Sequence, residues 1–166
     1  NELQEADVDL YDFLTRIAES FKELFKEKSI EYTYKIDIPP KTFIRCDRKK
    51  YKSIFDNLLH NASKFTPEGG KVIFRALQNV QDTELLVDIS NTGEGMPEEE
   101  KEKIFEAGFT KDKLRGTGLG LSVVKKFVEL HKGEIHEFGT EGEDTVFTIK
   151  LPIIVPDIVI FDRKKK

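Results

Sequence analysis

Tryptophan is absent from this 166-residue chain, and cysteine and methionine occur once each. No apolar run approaches the ~18 residues needed to cross a bilayer, and no basic start leads into an apolar leader segment. With Cys46 as the lone thiol, an internal disulfide framework and a multi-cysteine zinc site are both excluded, which suits a reducing compartment. Cys46 reads as a small buried hydrophobe. No charge of one sign dominates either: 27 Lys and Arg stand against 31 Asp and Glu, mixed along the chain, for a net charge of -4. Nucleic acid is therefore not the default partner. There is no internal repeat and no low-complexity tract. The length suits one domain burying roughly 70% of its unfolded surface. The first residue is Asn1, not Met, so the expectation is a soluble, cytoplasmic piece of a longer protein whose membrane anchor, if it has one, lies elsewhere.

What is present is periodic. Leu10, Phe13, Leu14, Ile17, Phe21, Leu24 and Phe25 recur at helical spacing behind a candidate N-cap, Asp9. From Ile30 to Ile38 apolar and polar residues alternate, which predicts a half-buried strand stopped by Pro39 and Pro40. After an extended piece at Thr42 to Cys46, Asp47 can cap a long helix with the stripe Tyr51, Ile54, Phe55, Leu58, Leu59, Ala62 and Phe65. Pro67 and Gly69-Gly70 end it. Two strands are predicted at Lys71 to Gln78 and Glu84 to Ser90. A short helix follows from Pro97 to Phe105, a polar loop reaches Gly116, and a helix runs from about Gly118 to Lys132, closed by Gly133. Strands at Glu134 to Phe138 and Thr145 to Leu151 complete the domain. Strands and helices mix without regular βαβ alternation, which predicts an α+β two-layer sandwich, one sheet with helices on one face. Residues 1–152 form the domain; residues 153–166 form an extension with a candidate edge strand at Asp157 to Phe161 and a basic tail.

Three stretches carry chemistry. On the long helix, Asn57, Asn61 and Lys64 share a stripe roughly 110° round from the apolar centre, where carboxamide oxygens suit a cation and an ammonium suits phosphate. An ordinary solvated helix face satisfies the same spacing. His60 points away from the core and is expected to be exposed. Next, Ser90 to Met96 reads SNTGEGM, in which Gly93 and Gly95 permit a tight turn or the close approach of a flat group. Then Phe109 to Val124 reads FTKDKLRGTGLGLSVV, a glycine-rich run entering a helix whose free N–H groups can receive phosphate oxygens. The spacing is not the G-x-G-x-x-G of a dinucleotide fold, and no G-x-x-x-x-G-K-[ST] run exists.

In this order the pieces resemble one family. Asn57 to Pro67, Asn91 to Pro97, Ile104-Phe105-Glu106 with Phe109-Thr110-Lys111, and Gly116 to Ser122 look like the N, G1, F and G2 boxes of sensor histidine kinases. The match covers about Asp9 to Pro152, the catalytic ATP-binding domain. The resemblance implies the Bergerat sandwich shared with gyrase-type ATPases and related chaperones, with a mixed sheet of about five strands. It also implies Mg²⁺ held by Asn61, the phosphate or metal site supported by Asn57, phosphate neutralised by Lys64, and Phe65 at the nucleoside end. Adenine would lie against Gly93 and Gly95, with Asn91, Met96 and Phe105 in the same nucleotide set. Gly116, Thr117, Gly118, Leu119 and Gly120 would form the hinge and amides of a closing lid, in which Lys111 and Arg115 are candidate γ-phosphate contacts. Phosphoryl transfer needs mainly positioning and charge neutralisation, so Asn57, Lys64, Lys111 and Arg115 would form the catalytic set without a nucleophile.

The implied activity is a protein-histidine kinase using ATP and Mg²⁺. Its acceptor would be a histidine on the protein's own dimerisation hairpin, upstream of this chain, with a response regulator downstream and a homodimeric full-length protein. Two alternatives keep the fold: a gyrase- or chaperone-like ATPase, and a non-catalytic nucleotide-binding or docking module. Hydrolases of this superfamily place Glu, the general base for water, where this chain has Asn57, so slow hydrolysis is expected. The family usually has Asp where this chain has Asn91, which can still accept a hydrogen bond but carries no charge. It also leads one to expect glycine at Lys132. His136 to Thr140 matches a loose H-E-x-x-T acceptor pattern, but in a strand entering a turn, with no helix to present it. His131 is expected to be a cation at a helix end or a core-edge residue.

Overall fold

In the computed structural model, which describes residues 2–109 and 120–156, a five-stranded sheet carries all its helices on one face. The chain opens with β1 (Glu5–Asp9), α1 (Leu10–Ser20), α2 (Lys22–Glu27), β2 (Glu31–Asp37), β3 (Phe43–Asp47) and α3 (Arg48–Phe65). It continues through β4 (Lys71–Gln78), β5 (Glu84–Thr92), two 3-10 turns at Glu98–Glu100 and Lys103–Phe105, α4 (Gly120–Leu130), β6 (Glu134–Glu137) and β7 (Asp144–Pro152). The sheet order is β2-β4-β5-β7-β6, with β2 parallel to β4 and the other neighbours antiparallel. This is the expected mixed α+β two-layer sandwich.

Alternation along the strands decides which face the helices cover. Val72, Phe74 and Ala76 of β4, Leu85, Val87 and Ile89 of β5, and Phe147, Ile149 and Leu151 of β7 are all buried. Arg75, Asp88 and Lys150 look out from the opposite face. Against the buried face lie Tyr51, Ile54, Phe55, Leu58 and Leu59 of α3, with Val124 and Val128 of α4. Each fully buried side chain of that size stabilises by roughly 1.5–3 kcal/mol before chain entropy is counted.

Both predicted caps form: Asp9 accepts from the Asp12 N–H and Asp47 from the Lys50 N–H at 3.1 Å. Asp47 also accepts from the Gln4 N–H at 2.8 Å. The backbone N–H of Asp47 donates to His131 Nε2 at 3.1 Å, while His131 Nδ1 faces the Phe127 carbonyl at 2.8 Å. One ring nitrogen thus accepts and the other donates, which requires the neutral imidazole. Burial accordingly holds the His131 pKa below its ordinary value, so the residue is a half-buried core-edge group and not a helix-end cation.

Several boundaries differ from expectation. The single helix over Leu10 to Phe25 is two, because the Ser20 hydroxyl takes the Ile17 carbonyl and Phe21 closes the turn on Ala18 and Glu19. β1 went unpredicted because only Val8 of its five residues is buried; pairing with β3 forms it. The helix expected over Pro97 to Phe105 is two 3-10 turns, with Pro97 extended before the first. β5 continues to Thr92 and β7 spans Asp144–Pro152, each longer than predicted, because they pair with each other along their whole length. Lys132 adopts φ +61 after α4, the left-handed geometry that explains why glycine is expected there. The extra strand proposed at Asp157 to Phe161 lies outside the described residues.

Candidate functional site

Where the C-terminal turn of α3 meets the end of β5, the fold leaves a cavity of about 1360 Å³. From α3 come Asn61, Lys64 and Phe65; from the loop after β5 come Gly93, Gly95 and Met96; Gly120 and Leu121 of α4 close another side. Asn91 sits at the wall, only 5% exposed, where its β5 backbone is opposite Thr145 of β7. Its Nδ2 donates to the Thr92 carbonyl at 3.1 Å.

Register brings these residues together. Helical spacing puts Asn57, Asn61 and Lys64 on one side of α3, and the pairing of β5 with β4 and β7 holds Asn91 beneath the helix end. Asn57 is absent from the lining, yet it stands against the start of α4. Its carboxamide oxygen would lie 3.4 Å from a β-carbon placed on Gly120. Its Nδ2 donates to the Ser53 carbonyl at 2.7 Å and the Ser53 hydroxyl at 3.0 Å, which leaves the oxygen on the side of Gly120. Phe105 also lies outside this cavity. It is 9% exposed and packs edge-on against Phe147, with Lys125 over its ring. Its ring is taken up by Phe147 of β7 and Lys125 of α4, and from the same segment Ile104 and Phe109 line the cavity. Lys111, Arg115, Gly116, Thr117, Gly118 and Leu119 lie outside the described residues.

The two glycines of the loop have a reason internal to the fold. Gly95 has φ +61, and a β-carbon there would fall 2.6 Å from the Thr140 carbonyl oxygen and 2.7 Å from that of Asp144. At Gly93 it would fall 2.8 Å from the Phe65 carbonyl oxygen. The turn between β6 and β7 crosses close behind this loop and is bonded to it, Gly93 N–H to the Glu143 carbonyl and Gly142 N–H to the Glu94 carbonyl. The backbone itself occupies the space that the missing side chains leave.

Sequence reasoning missed Thr145 and Glu100 and gave no site role to Ile104, Phe109 and Leu121 within their boxes; all five line the cavity. The alternating pattern of β7 marks Thr145 as an inward-facing polar position, the one usable signal. The lining is rich in carboxylates, with Glu27, Glu68, Glu94, Glu100 and Glu141 against Lys28 and Lys64 among the described residues. No group of three or more His, Cys, Asp or Glu among them could hold a metal ion. Carboxamide oxygens of Asn61 and Asn57 fit a hard cation that keeps its remaining ligands from water and phosphate. No described helix is long and apolar enough to cross a membrane. His60 is exposed, its ring edge-on to Phe21 at 4.9 Å, and His136 is exposed on β6.

Comparison with known proteins places this geometry. Residues 46–154 match the family described as histidine kinase-, DNA gyrase B- and HSP90-like ATPase. The chain is 39% identical over 150 residues to the sensor histidine kinase TmoS of Ectopseudomonas mendocina, covering 87% of this chain and 15% of TmoS. With the sensor histidine kinase WalK of Bacillus subtilis strain 168 the identity is 32% over 151 residues, covering 87% and 24%. The chain thus spans less than a quarter of either relative. The nucleotide-free catalytic domain of histidine kinase ThkA superposes with a TM-score of 0.80 at 29% identity, covering 92% of this chain and 97% of that one. Full-length ShkA in complex with AMPPNP gives 0.82 at 29% identity, covering 94% and 32%. ThkA in complex with the response regulator TrrA gives 0.75 at 28%, covering 90% and 42%. On the match to residues 46–154, in a fold shared with histidine kinase catalytic domains, the chain belongs to the histidine kinase-, DNA gyrase B- and HSP90-like ATPase family, as an ATP-binding catalytic domain of the sensor histidine kinase kind.

Proposed function

We propose that this domain binds ATP with Mg²⁺ in the α3–β5 cavity and donates the γ-phosphoryl group to a histidine on a separate helical hairpin of the same protein, within a homodimer. A response regulator then receives the group, as the pairing of ThkA with TrrA suggests by analogy. The observation that carries the reading is the convergence of Asn61, Lys64 and Phe65 with Asn91, Gly93 and Gly95 on one cavity. Asn91 would accept from the adenine amino group through its carbonyl oxygen, and Phe65 would bound the nucleoside. A triphosphate entering a cavity lined by five glutamates needs added positive charge. Mg²⁺ on Asn61, supported by Asn57, would supply it together with Lys64; Lys111 and Arg115 add cationic charge in the sequence nearby. Bound there, the metal would neutralise charge on the phosphates. Asn57 cannot accept a proton from water, which favours transfer over hydrolysis.

Calorimetric titration with a non-hydrolysable ATP analogue, with and without Mg²⁺, tests the site. Saturable binding strengthened by Mg²⁺ is expected. Addition of labelled ATP and a hairpin fragment should then label its histidine; binding without transfer would support a docking module instead.

A further inference from the structure

Glu137, the acid of the H-E-x-x-T sequence, is a buried carboxylate that the proposed chemistry does not use. Its side chain is 0% exposed. One oxygen, Oε2, accepts from the Gly139 N–H at 2.6 Å and the Val146 N–H at 2.8 Å, which ties together the two arms of the β6–β7 turn. The other, Oε1, has no aligned hydrogen-bond donor among the described residues, but the Lys101 ammonium lies 2.8 Å away as an ion pair. Lys101 also donates to the Gly139 carbonyl at 2.5 Å, and its ammonium is held in the charged form chiefly by Glu137. Lys101 follows the 3-10 turn Glu98–Glu100, directly downstream of Gly93 to Met96.

We propose that Lys101 and Glu137 form a latch that positions the proposed nucleobase end of the cavity, resting on the nucleotide reading above. The pair joins the segment after the glycine loop to the β6–β7 turn. That turn is the one whose Glu143 carbonyl and Gly142 N–H bond the loop, and whose Thr140 and Asp144 carbonyls pack on Gly95. Glu94, Gly95, Met96, Glu141, Gly142 and Thr145 all line the cavity, so the turn and the loop are its walls. A buried ion pair contributes little net stability, because desolvation offsets attraction, but it penalises any arrangement that separates the charges. Lys101 and Glu137 are therefore positioning residues: they touch no nucleotide and set the spacing of two segments that would.

The test compares the parent chain with Lys101→Met and with the double variant Lys101→Met/Glu137→Gln, which leaves no unpaired buried charge if the single variant folds poorly. In both, affinity for a non-hydrolysable ATP analogue should fall by about tenfold or more, as misplacement of a binding wall produces. Hydrogen exchange at the Gly93 and Gly142 amides should speed by about tenfold or more while the helical amides of α3 keep their protection. Parental affinity in a folded variant, or exchange that rises equally in α3, would overturn the latch. If the parent itself binds no nucleotide, the nucleotide reading fails on its own. Exchange then decides the latch: selective loosening at Gly93 and Gly142 supports it, and unchanged exchange there overturns it.

Discussion

Replacing Gly95 with alanine separates two explanations of the glycine loop. If Gly95 is bare to admit a flat base, the nucleotide-free protein should keep its stability and only affinity should suffer. The structure predicts the reverse order. At φ +61 a β-carbon costs about 1–2 kcal/mol in backbone conformation. It also meets two backbone carbonyl oxygens at 2.6 and 2.7 Å, neither the tip of a flexible side chain, so overpacking adds roughly 1–3 kcal/mol. Gly95→Ala should therefore lose roughly 2–5 kcal/mol without ligand, a fall in melting temperature of roughly 5–20 °C for a domain of this size. Gly142→Ala is the internal control. Gly142 has φ +85 but open space around its absent β-carbon, so it carries the conformational cost alone. Thermal and urea unfolding of both variants and the parent, without nucleotide, measure the difference. Equal losses in the two would refute the packing account and return Gly95 to the ligand.

Asn91→Asp should retain nucleotide binding, within about tenfold of the parent, because the stronger charged acceptor is offset by desolvating a carboxylate at a 5% exposed position. Calorimetry checks this, and a complete loss of binding would remove Asn91 from the base end. Phosphate release from Mg-ATP by the chain alone should be slow; rapid turnover would shift the reading to a gyrase- or chaperone-like ATPase. His131 makes stability pH-dependent: burial lowers its pKa in the fold below the ordinary 6.5, against the Phe127 carbonyl and the Asp47 charge, which raise it. The unfolded chain then binds a proton first, so this contribution is complete above 6.5 and is lost as pH falls from there to the folded value. Urea midpoints at about pH 7.5 and about pH 5.5 should differ less in His131→Gln than in the parent.

Much of this was legible in the chain alone because the signals are local. Asp9 and Asp47 cap helices by accepting from backbone N–H groups three residues on, and the stripe of α3 follows from helical spacing. The sheet strands after it alternate because one face is buried. Asn61 and Lys64 were nameable because they share a helical stripe with Asn57, and Gly93 and Gly95 because they punctuate a strand end, whereas Phe65 and Asn91 gained their roles only through the resemblance to the kinase boxes. Folding decided what depends on contacts distant in sequence. β1 forms by pairing with β3, and Phe105 packs edge-on against Phe147. Thr145 joins Asn91 through strand register. His131 is neutral because the Asp47 amide, 84 positions away, points at its ring nitrogen. Glu137 has the look of a surface acid in the sequence, and it is buried because Lys101 and two backbone amides of the β6–β7 hairpin replace the water it leaves. No local pattern carries such pairings, since a side chain's solvent and partners are set by whatever the rest of the chain brings against it.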